Sequence, residues 1–268
     1  MVVYPNAKIN LGLHIVAKRP DGFHDLESVF YPVAWCDILE LLPQEGGTTQ
    51  FSSSGISIPG EGNLVTNAYS ILAADFALPP VHFHLHKQIP IGAGMGGGSA
   101  DAAFCLRALN EHFKLGLTTE QLEAYAGKLG SDCPFFIDNQ PAFVSGTGDV
   151  LEPIELDLSG KYIAMIHPGI HISTPEAYQS ISPRPASFDL RTLGTLPLEE
   201  WTNHVVNDFE APLFVAYPEL EFVKNQLYAA GAFYASMSGS GSTIYGLFDK
   251  QPVLNNVAAT YSTFIGQL

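Results

Sequence analysis

The most chemically suggestive residues of the sequence form one glycine-rich run. In chain order they are Pro90, Ile91, Gly92, Ala93, Gly94, Met95, Gly96, Gly97, Gly98, Ser99 and Ala100. Glycine lets backbone N–H groups approach a ligand closely, and a helix after the run would add partial positive charge at its N-terminus. A structural turn is the alternative, but it would rarely need five glycines, because each one costs conformational entropy on folding. We interpret the run as a phosphate-binding loop and call it the glycine loop.

Two better-known phosphate-binding motifs do not fit this loop. Gly92, Gly94 and Gly97 have the spacing of dinucleotide-binding folds, but those folds need an acidic residue about 20 residues later, at the end of a second strand. The corresponding region, Glu111 to Thr119, has the pattern of a helix end and a loop. The Walker motif is excluded because no Gly-Lys-Ser/Thr follows the loop.

A lysine and an asparagine lie in a segment with the pattern of a strand. From Ala7 to Val16, apolar residues alternate with polar ones, which is the period of a half-buried strand. Lys8 and Asn10 therefore share one face of that strand. A single lysine in such a place is by default half of an ion pair, and only supporting motifs make it a candidate catalytic charge.

An aspartate is expected just beyond a helix. That helix begins at Thr118, and Gln121 three residues later completes a capping box. Pro134 disfavours helical geometry at the residue before it, so Asp132 is expected on a loop that enters an apolar strand, Phe135 to Ile137. The default interpretation of this aspartate is again an ion pair or a helix cap.

Three histidines raise the question of a metal site. His82, His84 and His86 alternate along a predicted strand from Val81 to Ile89, and imidazole is a common metal ligand. No nearby carboxylate or cysteine completes a ligand set, so a solvated strand face is preferred.

The cysteines are expected to be reduced and mostly buried thiols. They are odd in number and lack metal-type spacing: Cys36, Cys105 and Cys133. Cys133 could also be the nucleophile of a cysteine hydrolase, but no histidine partner can be placed beside it from the sequence.

The elements that position these residues follow from the hydrophobic pattern. After the glycine loop, Ala103, Leu106 and Leu109 recur at helical spacing, so the loop leads directly into a helix. Other expected elements are a strand from Val29 to Leu42, loop material from Gly46 to Gly62, and helices at Asn63 to Phe76, near Glu176, near Asn203 to Tyr217, and at Leu220 to Ala230. This order of elements predicts an α+β fold rather than a regular βαβ winding.

Length and net charge limit the number of domains and the kinds of partner that the chain can have. A chain of 268 residues is expected to hold one large domain or two smaller ones, and the pattern loosens around residues 151–161, which predicts domains at 1–155 and 156–268. The net charge of −15 would repel a phosphate backbone, so nucleic-acid binding is not expected. Without a leader pattern or a long apolar run, the sequence predicts a cytoplasmic protein without a membrane segment.

Four blocks of the sequence resemble the GHMP kinases. The glycine loop has their form P-x-x-x-G-L-G, with Met95 in the leucine position. The other blocks follow in family order over nearly the whole chain: Pro5 to Leu11 with Asp21 to Leu26, Gly130 to Pro134, and Met237 to Ser242. The loop specifies only the superfamily, whereas the first block is similar to members that act on a substrate carrying cytidine diphosphate.

The resemblance implies a two-domain GHMP kinase fold with ATP and substrate in the cleft between the domains. It implies transfer of the γ-phosphoryl group of ATP to the 2-hydroxyl of 4-diphosphocytidyl-2-C-methyl-D-erythritol, a step of non-mevalonate isoprenoid synthesis, with Mg²⁺ bridging phosphate oxygens. The sequence does not identify the ligands of the metal or any protein partner. A GHMP kinase for another small alcohol, homoserine or mevalonate, is the alternative. A non-catalytic binder with this fold would be expected to lack Lys8 or Asp132, and the sequence has both.

Individual roles also come from the resemblance. Asp132 would accept the hydroxyl proton, and Lys8 would orient the reacting groups and stabilise developing negative charge. Asn63 and Lys87 resemble positions beside the nucleotide. The implied substrate contacts are Asn10, Phe23, His24, Thr174 and Tyr178. Phe23 stands where the family usually has a tyrosine, and it keeps the aromatic face for stacking. For Thr174 and Tyr178, a role in ordinary packing is as well supported as a substrate contact.

Overall fold

The structure, a computed structural model, describes residues 1–59, 63–179, 181–254 and 260–268. Its strands are β1 Val2–Val3, β2 Asn6–Lys18, β3 His24–Cys36, β4 Ile38–Pro43, β5 Gln50–Gly55, β6 Val81–Lys87, β7 Ala142–Ser145, β8 Val150–Pro153, β9 Tyr162–His167, β10 Tyr234–Met237, β11 Ile244–Phe248 and β12 Ser262–Gln267. Its α-helices are α1 Leu64–Ala73, α2 Gly97–Phe113, α3 Thr119–Gly127, α4 Phe135–Asp138, α5 Thr174–Gln179, α6 Trp201–His204, α7 Glu210–Ala216 and α8 Pro218–Ala229. Short 3-10 turns cover Leu190–Thr195 and Leu198–Glu200.

The chain divides into two compact units, each made of separate segments. Unit 1 contains Met1–Ala7, Trp35–Ile91 and Gly96–Gln140. Unit 2 contains Lys8–Ala34, Gly92–Met95 and Pro141–Leu268. The division of the sequence at residue 155 stays a prediction.

Unit 1 combines one sheet with four helices. The strand order is β1-β4-β6-β5, antiparallel except for the parallel pair of β5 and β6. Along β6, the buried residues Val81, Phe83 and Leu85 alternate with three half-buried histidines, as the period-2 pattern predicts. Helix α2 contacts α1, α3 and α4, so the helix after the glycine loop lies among the other helices of the unit.

Unit 2 contains two sheets. One has the strand order β10-β11-β9-β12 and is antiparallel throughout. Its core includes Ile166 and Ile244 from the sheet and Leu220 and Leu227 from α8. The other sheet has the order β2-β3-β7-β8, with β7 antiparallel to both of its neighbours. Antiparallel sheets that carry helices confirm the α+β prediction.

Three predicted elements differ from the structure. The segment Phe135 to Ile137 is not a strand but belongs to helix α4, because periodicity cannot distinguish a short apolar run in a strand from one in a helix. The strand predicted from Val29 to Leu42 is divided into β3 and β4 at Asp37. The helix predicted near Asn203 to Tyr217 is divided into α6 and α7, and the bond from Phe209 N to Asn207 Oδ1 closes a local turn between them.

Other predictions are confirmed. The capping box at Thr118 is present, with reciprocal bonds between Thr118 and Gln121. Helix α1 falls within the predicted range from Asn63 to Phe76. The segment from Gly46 to Gly62, predicted as hairpin and loop material, is only partly loop, because it contains β5, which pairs parallel to β6. Its residues 60–62 lie outside the described residues.

Candidate active site

The glycine loop has a backbone that most residues could not adopt. Gly92, Gly94 and Gly96 have φ values of 66°, 78° and 69°, in the left-handed region that favours glycine. Gly96 is the N-cap of α2 and makes no side-chain capping bond to the helix. The 17-residue helix therefore starts directly from the loop, and the N–H groups of its first turn are suited to an anion.

The middle of the loop is held against the Met237 to Ser242 segment. A Cβ atom on Gly94 would lie 2.0 Å from the carbonyl oxygen of Ser238, a distance that no side chain can occupy. The Ser238 hydroxyl donates to the Gly94 carbonyl oxygen at 2.8 Å and accepts from the Asn10 backbone N–H at 3.3 Å. Sequence reasoning assigned no site role to Ser238, although the Ser-Gly-Ser-Gly repeat that begins at this residue was a signal for one.

Lys8 and Asn10 contact each other, as their predicted strand face requires. The Lys8 side chain is only 3% exposed, and its Nζ donates to Asn10 Oδ1 at 2.6 Å. Nζ also lies 4.1 Å from the centre of the Phe30 ring, within range of a cation–π interaction. The Asn10 amide donates to Ser28 Oγ at 2.9 Å, which fixes the amide orientation. The backbone N–H of Lys8 donates to the Met95 carbonyl oxygen, so the ammonium has a fixed place in unit 2 near the loop.

Two of the predicted substrate residues stack on each other. The rings of His24 and Tyr178 have centroids 4.8 Å apart and planes inclined by 26°. Tyr178 also packs edge-on against Phe209 at 5.0 Å. Phe23, the residue before His24, is 66% exposed, so a face of its ring is accessible to solvent. Thr174 is the first residue of α5, the helix that carries Tyr178.

Asp132 lies in a turn rather than on a loop into a strand. Residues 131–134 form turns between α3 and α4, and the Asp132 side chain is half-buried. The adjacent Cys133 is buried, and this burial raises the pKa of its thiol to about 11, with a smaller raising effect from the charge of Asp132 and a lowering effect from a hydrogen bond with Ser99. Because the thiolate is the nucleophile, the raised pKa argues against a cysteine hydrolase.

The two residues predicted beside the nucleotide have structural contacts of their own. Asn63 caps α1, because its Oδ1 accepts from the Val65 backbone N–H at 2.7 Å. Lys87 is 3% exposed and donates to the carboxylates of Asp37 and Asp101. Their direct contact with a nucleotide stays a prediction.

No metal cage exists in the described part of the chain. Over residues 1–59, 63–179, 181–254 and 260–268, no group of three or more His, Cys, Asp or Glu side chains is arranged to hold a metal ion. The three histidines of β6 are instead linked through serines of β5. Ser52 Oγ lies 2.9 Å from both His82 Nε2 and His84 Nδ1, and Ser54 Oγ makes the same link between His84 and His86.

Two further sequence-level expectations are answered directly. All three cysteines are free, two of them buried and Cys36 half-buried. Among the helices of the described residues, none has both the length and the apolar character needed to cross a membrane.

Family profiles match two regions of the sequence. The profile described as GHMP kinases N terminal domain matches residues 63–147, which include the glycine loop and Asp132. The profile described as GHMP kinases C terminal matches residues 186–264.

Similar proteins match nearly the whole chain. A protein of Azobacteroides pseudotrichonymphae genomovar. CFP2 named 4-diphosphocytidyl-2-C-methyl-D-erythritol kinase is 50% identical, and the match covers 93% of this chain and 94% of that protein. A protein of the same name from Bacteroides thetaiotaomicron (strain ATCC 29148 / DSM 2079 / JCM 5827 / CCUG 10774 / NCTC 10582 / VPI-5482 / E50) is 49% identical, over 95% of this chain and 94% of that protein.

Solved structures agree with these matches. A crystal structure of 4-(cytidine 5'-diphospho)-2C-methyl-D-erythritol kinase has a TM-score of 0.78 and 32% identity, over 92% of this chain and 90% of that one. A crystal structure of mevalonate kinase has a TM-score of 0.71 but 12% identity, over 92% and 91% of the two chains, so it supports the fold alone.

Proposed function

Because the chain belongs to the 4-diphosphocytidyl-2-C-methyl-D-erythritol kinase family of GHMP kinases, we propose that it uses ATP to phosphorylate the 2-hydroxyl of 4-diphosphocytidyl-2-C-methyl-D-erythritol. The products are ADP and the 2-phosphate. The observation that carries this proposal is the 50% identity to a kinase of that name over 93% of the chain. The alternative acceptors homoserine and mevalonate receive less support, since a mevalonate kinase is similar in fold but only 12% identical.

The glycine loop supports ATP as the phosphoryl donor. Three left-handed glycines turn the backbone, and α2 starts immediately after them, a combination that favours phosphate oxygens at the helix N-terminus. A side chain on Gly94 is excluded by the carbonyl oxygen of Ser238, so the loop keeps its bare backbone.

In the proposed reaction, Asp132 is the general base and Lys8 the electrostatic catalyst. Asp132 accepts the proton of the 2-hydroxyl as that oxygen forms its bond to the γ-phosphorus and the bond from γ-phosphorus to the ADP oxygen breaks. The Lys8 ammonium, oriented by Asn10 and packed over Phe30, stabilises the negative charge of the transferring group. A fixed charge needs no reorganisation during the reaction, which is the property this role demands.

Mg²⁺ is proposed to bind with the nucleotide. Magnesium commonly keeps several waters and binds through substrate phosphates and one or two carboxylates, rather than in a dedicated protein cage. Bound there, it would neutralise charge on the β- and γ-phosphate oxygens. Among the residues assigned to the proposed site, Asp132 would supply a carboxylate to such an ion.

The aromatic residues are proposed to recognise the cytosine. Phe23 offers an exposed ring on which a planar base can stack, and we propose that the neighbouring stacked pair of His24 and Tyr178 contributes to the same recognition. Thr174 at the start of α5 is proposed to contact the diphosphate. The proposed substrate implies a place in non-mevalonate isoprenoid synthesis. The location in the cytoplasm stays a prediction from the sequence.

A panel of acceptors tests the proposal. Purified protein with ATP and Mg²⁺ is expected to release ADP in a coupled assay when 4-diphosphocytidyl-2-C-methyl-D-erythritol is present, and negligibly with mevalonate or homoserine. Equal turnover of the three acceptors would show that the cytidine-reading residues are wrongly assigned. Omission of Mg²⁺ tests the metal separately, and undiminished turnover with a chelator would exclude it.

A further inference from the structure

A buried cluster of three charged residues lies beside the glycine loop in unit 1. Asp37, Lys87 and Asp101 are 0%, 3% and 3% exposed. Lys87 Nζ donates to Asp37 Oδ2 and, at 2.8 Å, to Asp101 Oδ2. Two carboxylates thus share one ammonium. Within the described residues, the other oxygen of Asp101, Oδ1, is buried without a hydrogen-bond partner.

The cluster links the two ends of the glycine loop. Before the loop, Asp37 Oδ1 accepts from the backbone N–H groups of Gln88 at 2.6 Å and Ile89 at 2.9 Å. After the loop, Asp101 belongs to the early part of α2. Lys87 donates to both carboxylates, so its ammonium connects the segment before residue 90 with the segment after residue 96.

The same cluster sets the approach of α2. A Cβ atom on Gly97 would lie 3.0 Å from Lys87 Nζ and 2.9 Å from Cγ2 of Ile89. The first turn of α2 therefore packs directly on the lysine, with no room for a side chain at that position. The lysine side chain supports the N-terminal turn that our proposed function assigns to the phosphates.

Stability alone does not account for such a cluster. Removing charges from water is expensive, and apolar residues of similar volume often stabilise a core as well as a buried ion pair does. An unpartnered buried carboxylate oxygen adds a further cost. A buried ion cluster can instead favour one conformation of the chain around it. Here the favoured conformation is that of the two segments that flank the glycine loop.

We propose that Asp37, Lys87 and Asp101 are positioning residues that hold the glycine loop in its ATP-binding conformation. The cluster acts on the nucleotide through the backbone of the loop. Lys87 uses two of its three N–H donors on carboxylates and is almost inaccessible, which disfavours a direct contact with ATP as its main role. The inference rests on the proposed function, because it assumes that the loop binds ATP.

Two variants of the full-length protein test the proposal. For Lys87→Met, which keeps the aliphatic length, we expect the Kd of ATP in calorimetry to rise about tenfold, the factor that about 1.4 kcal/mol gives. For Asp101→Asn, which keeps the shape, we expect the Kd to rise about threefold without a decrease in Tm, because Lys87 keeps Asp37 as its partner and the cluster no longer holds two carboxylates for one ammonium. The KM of the acceptor is expected to change less than twofold in both. Lys128→Met, an exposed lysine of the same unit, is the matched control and should leave the Kd unchanged.

The outcomes separate this inference from the proposed function. If the wild-type protein itself fails to bind ATP, the proposed function is wrong before any variant is considered. If the wild type binds ATP and both folded variants retain its Kd, the positioning role is wrong and the cluster is merely structural. Should Lys87→Met fail to fold, Asp101→Asn decides alone, and a decrease in its Tm with an unchanged Kd would overturn the proposal.

Discussion

The ammonium of Lys8 lies 2.6 Å from Oδ1 of Asn10, two residues further along the same strand. An amide oxygen accepts a hydrogen bond from the ammonium and adds no charge of its own. The Asn10 amide is itself fixed by the bond from Nδ2 to Ser28 Oγ, and the Ser28 hydroxyl donates to the Gly12 carbonyl oxygen at 2.6 Å. A buried chain of neutral groups thus helps to position a proposed catalytic charge.

The first prediction tests this chain of neutral groups. Asn10→Leu removes one acceptor of the Lys8 ammonium, and we expect kcat to fall about tenfold because the charge is held less firmly in place. ATP affinity in calorimetry should stay within about twofold. Ser28→Ala removes the hydroxyl that contacts the Asn10 amide and the Gly12 carbonyl oxygen but leaves the Lys8 to Asn10 bond in place, so it is expected to have a smaller effect on kcat. An Asn10→Leu protein with native kcat would remove Asn10 from the site.

The second prediction concerns Gly94. Gly94→Ala places a Cβ atom 2.0 Å from the Ser238 carbonyl oxygen, so the loop must shift and the Kd of ATP should rise at least about tenfold. Gly160→Ala is the matched control, since Gly160 has a φ of 82° but no atom within 4 Å of its Cβ position. Both variants carry backbone strain, but only Gly94→Ala should weaken ATP binding. Equal ATP affinities in calorimetry would contradict the assignment of the loop.

The glycine loop and Lys8 were accessible to sequence reasoning because their signals are local. Glycine spacing, alternation along β2 and the capping box at Thr118 each depend on neighbours a few residues apart. The contact of Ser238 with Gly94 and the burial of Asp37 against Lys87 depend on tertiary packing, which no local pattern encodes. The segment Phe135 to Ile137 of α4 was misassigned for a related reason, since so short an apolar run carries no period.

The third prediction concerns the proposed catalytic pair, Asp132 and Lys8. Asp132→Asn keeps the shape but cannot accept the hydroxyl proton, so kcat should fall by roughly 10² to 10⁴ while ATP affinity changes little. Lys8→Met should also lower kcat strongly, and the double variant should lose less than the product of the single losses if the two residues act as a unit. A modest effect of Asp132→Asn with a severe effect of Lys8→Met would favour electrostatic catalysis over base catalysis. A folded double variant with near-native turnover would exclude both residues from the site.

The last prediction is a pH dependence of stability that originates at Asp101. Burial raises the pKa of its carboxyl from 3.8 to about 7, Lys87 of β6 opposes this shift, and Asp37 between β3 and β4 adds to it. Among the described residues, the Cys105 thiol of α2 also interacts with Asp101; burial raises the pKa of this thiol, so it stays neutral over the pH range in which Asp101 titrates.

A raised pKa in the folded state means that the protonated form of Asp101 is favoured by folding. Its contribution to stability is fully present below about pH 4 and is lost as the pH rises through about 7. Asp101→Asn cannot lose this contribution. We therefore expect the Tm of Asp101→Asn relative to wild type to increase between pH 5 and pH 8 by at least about 2–4 °C, the shift that about 1 kcal/mol gives in a chain of this size. Thermal unfolding of both proteins at several pH values measures the difference, and a difference that stays constant over this range would mean that Asp101 does not titrate there.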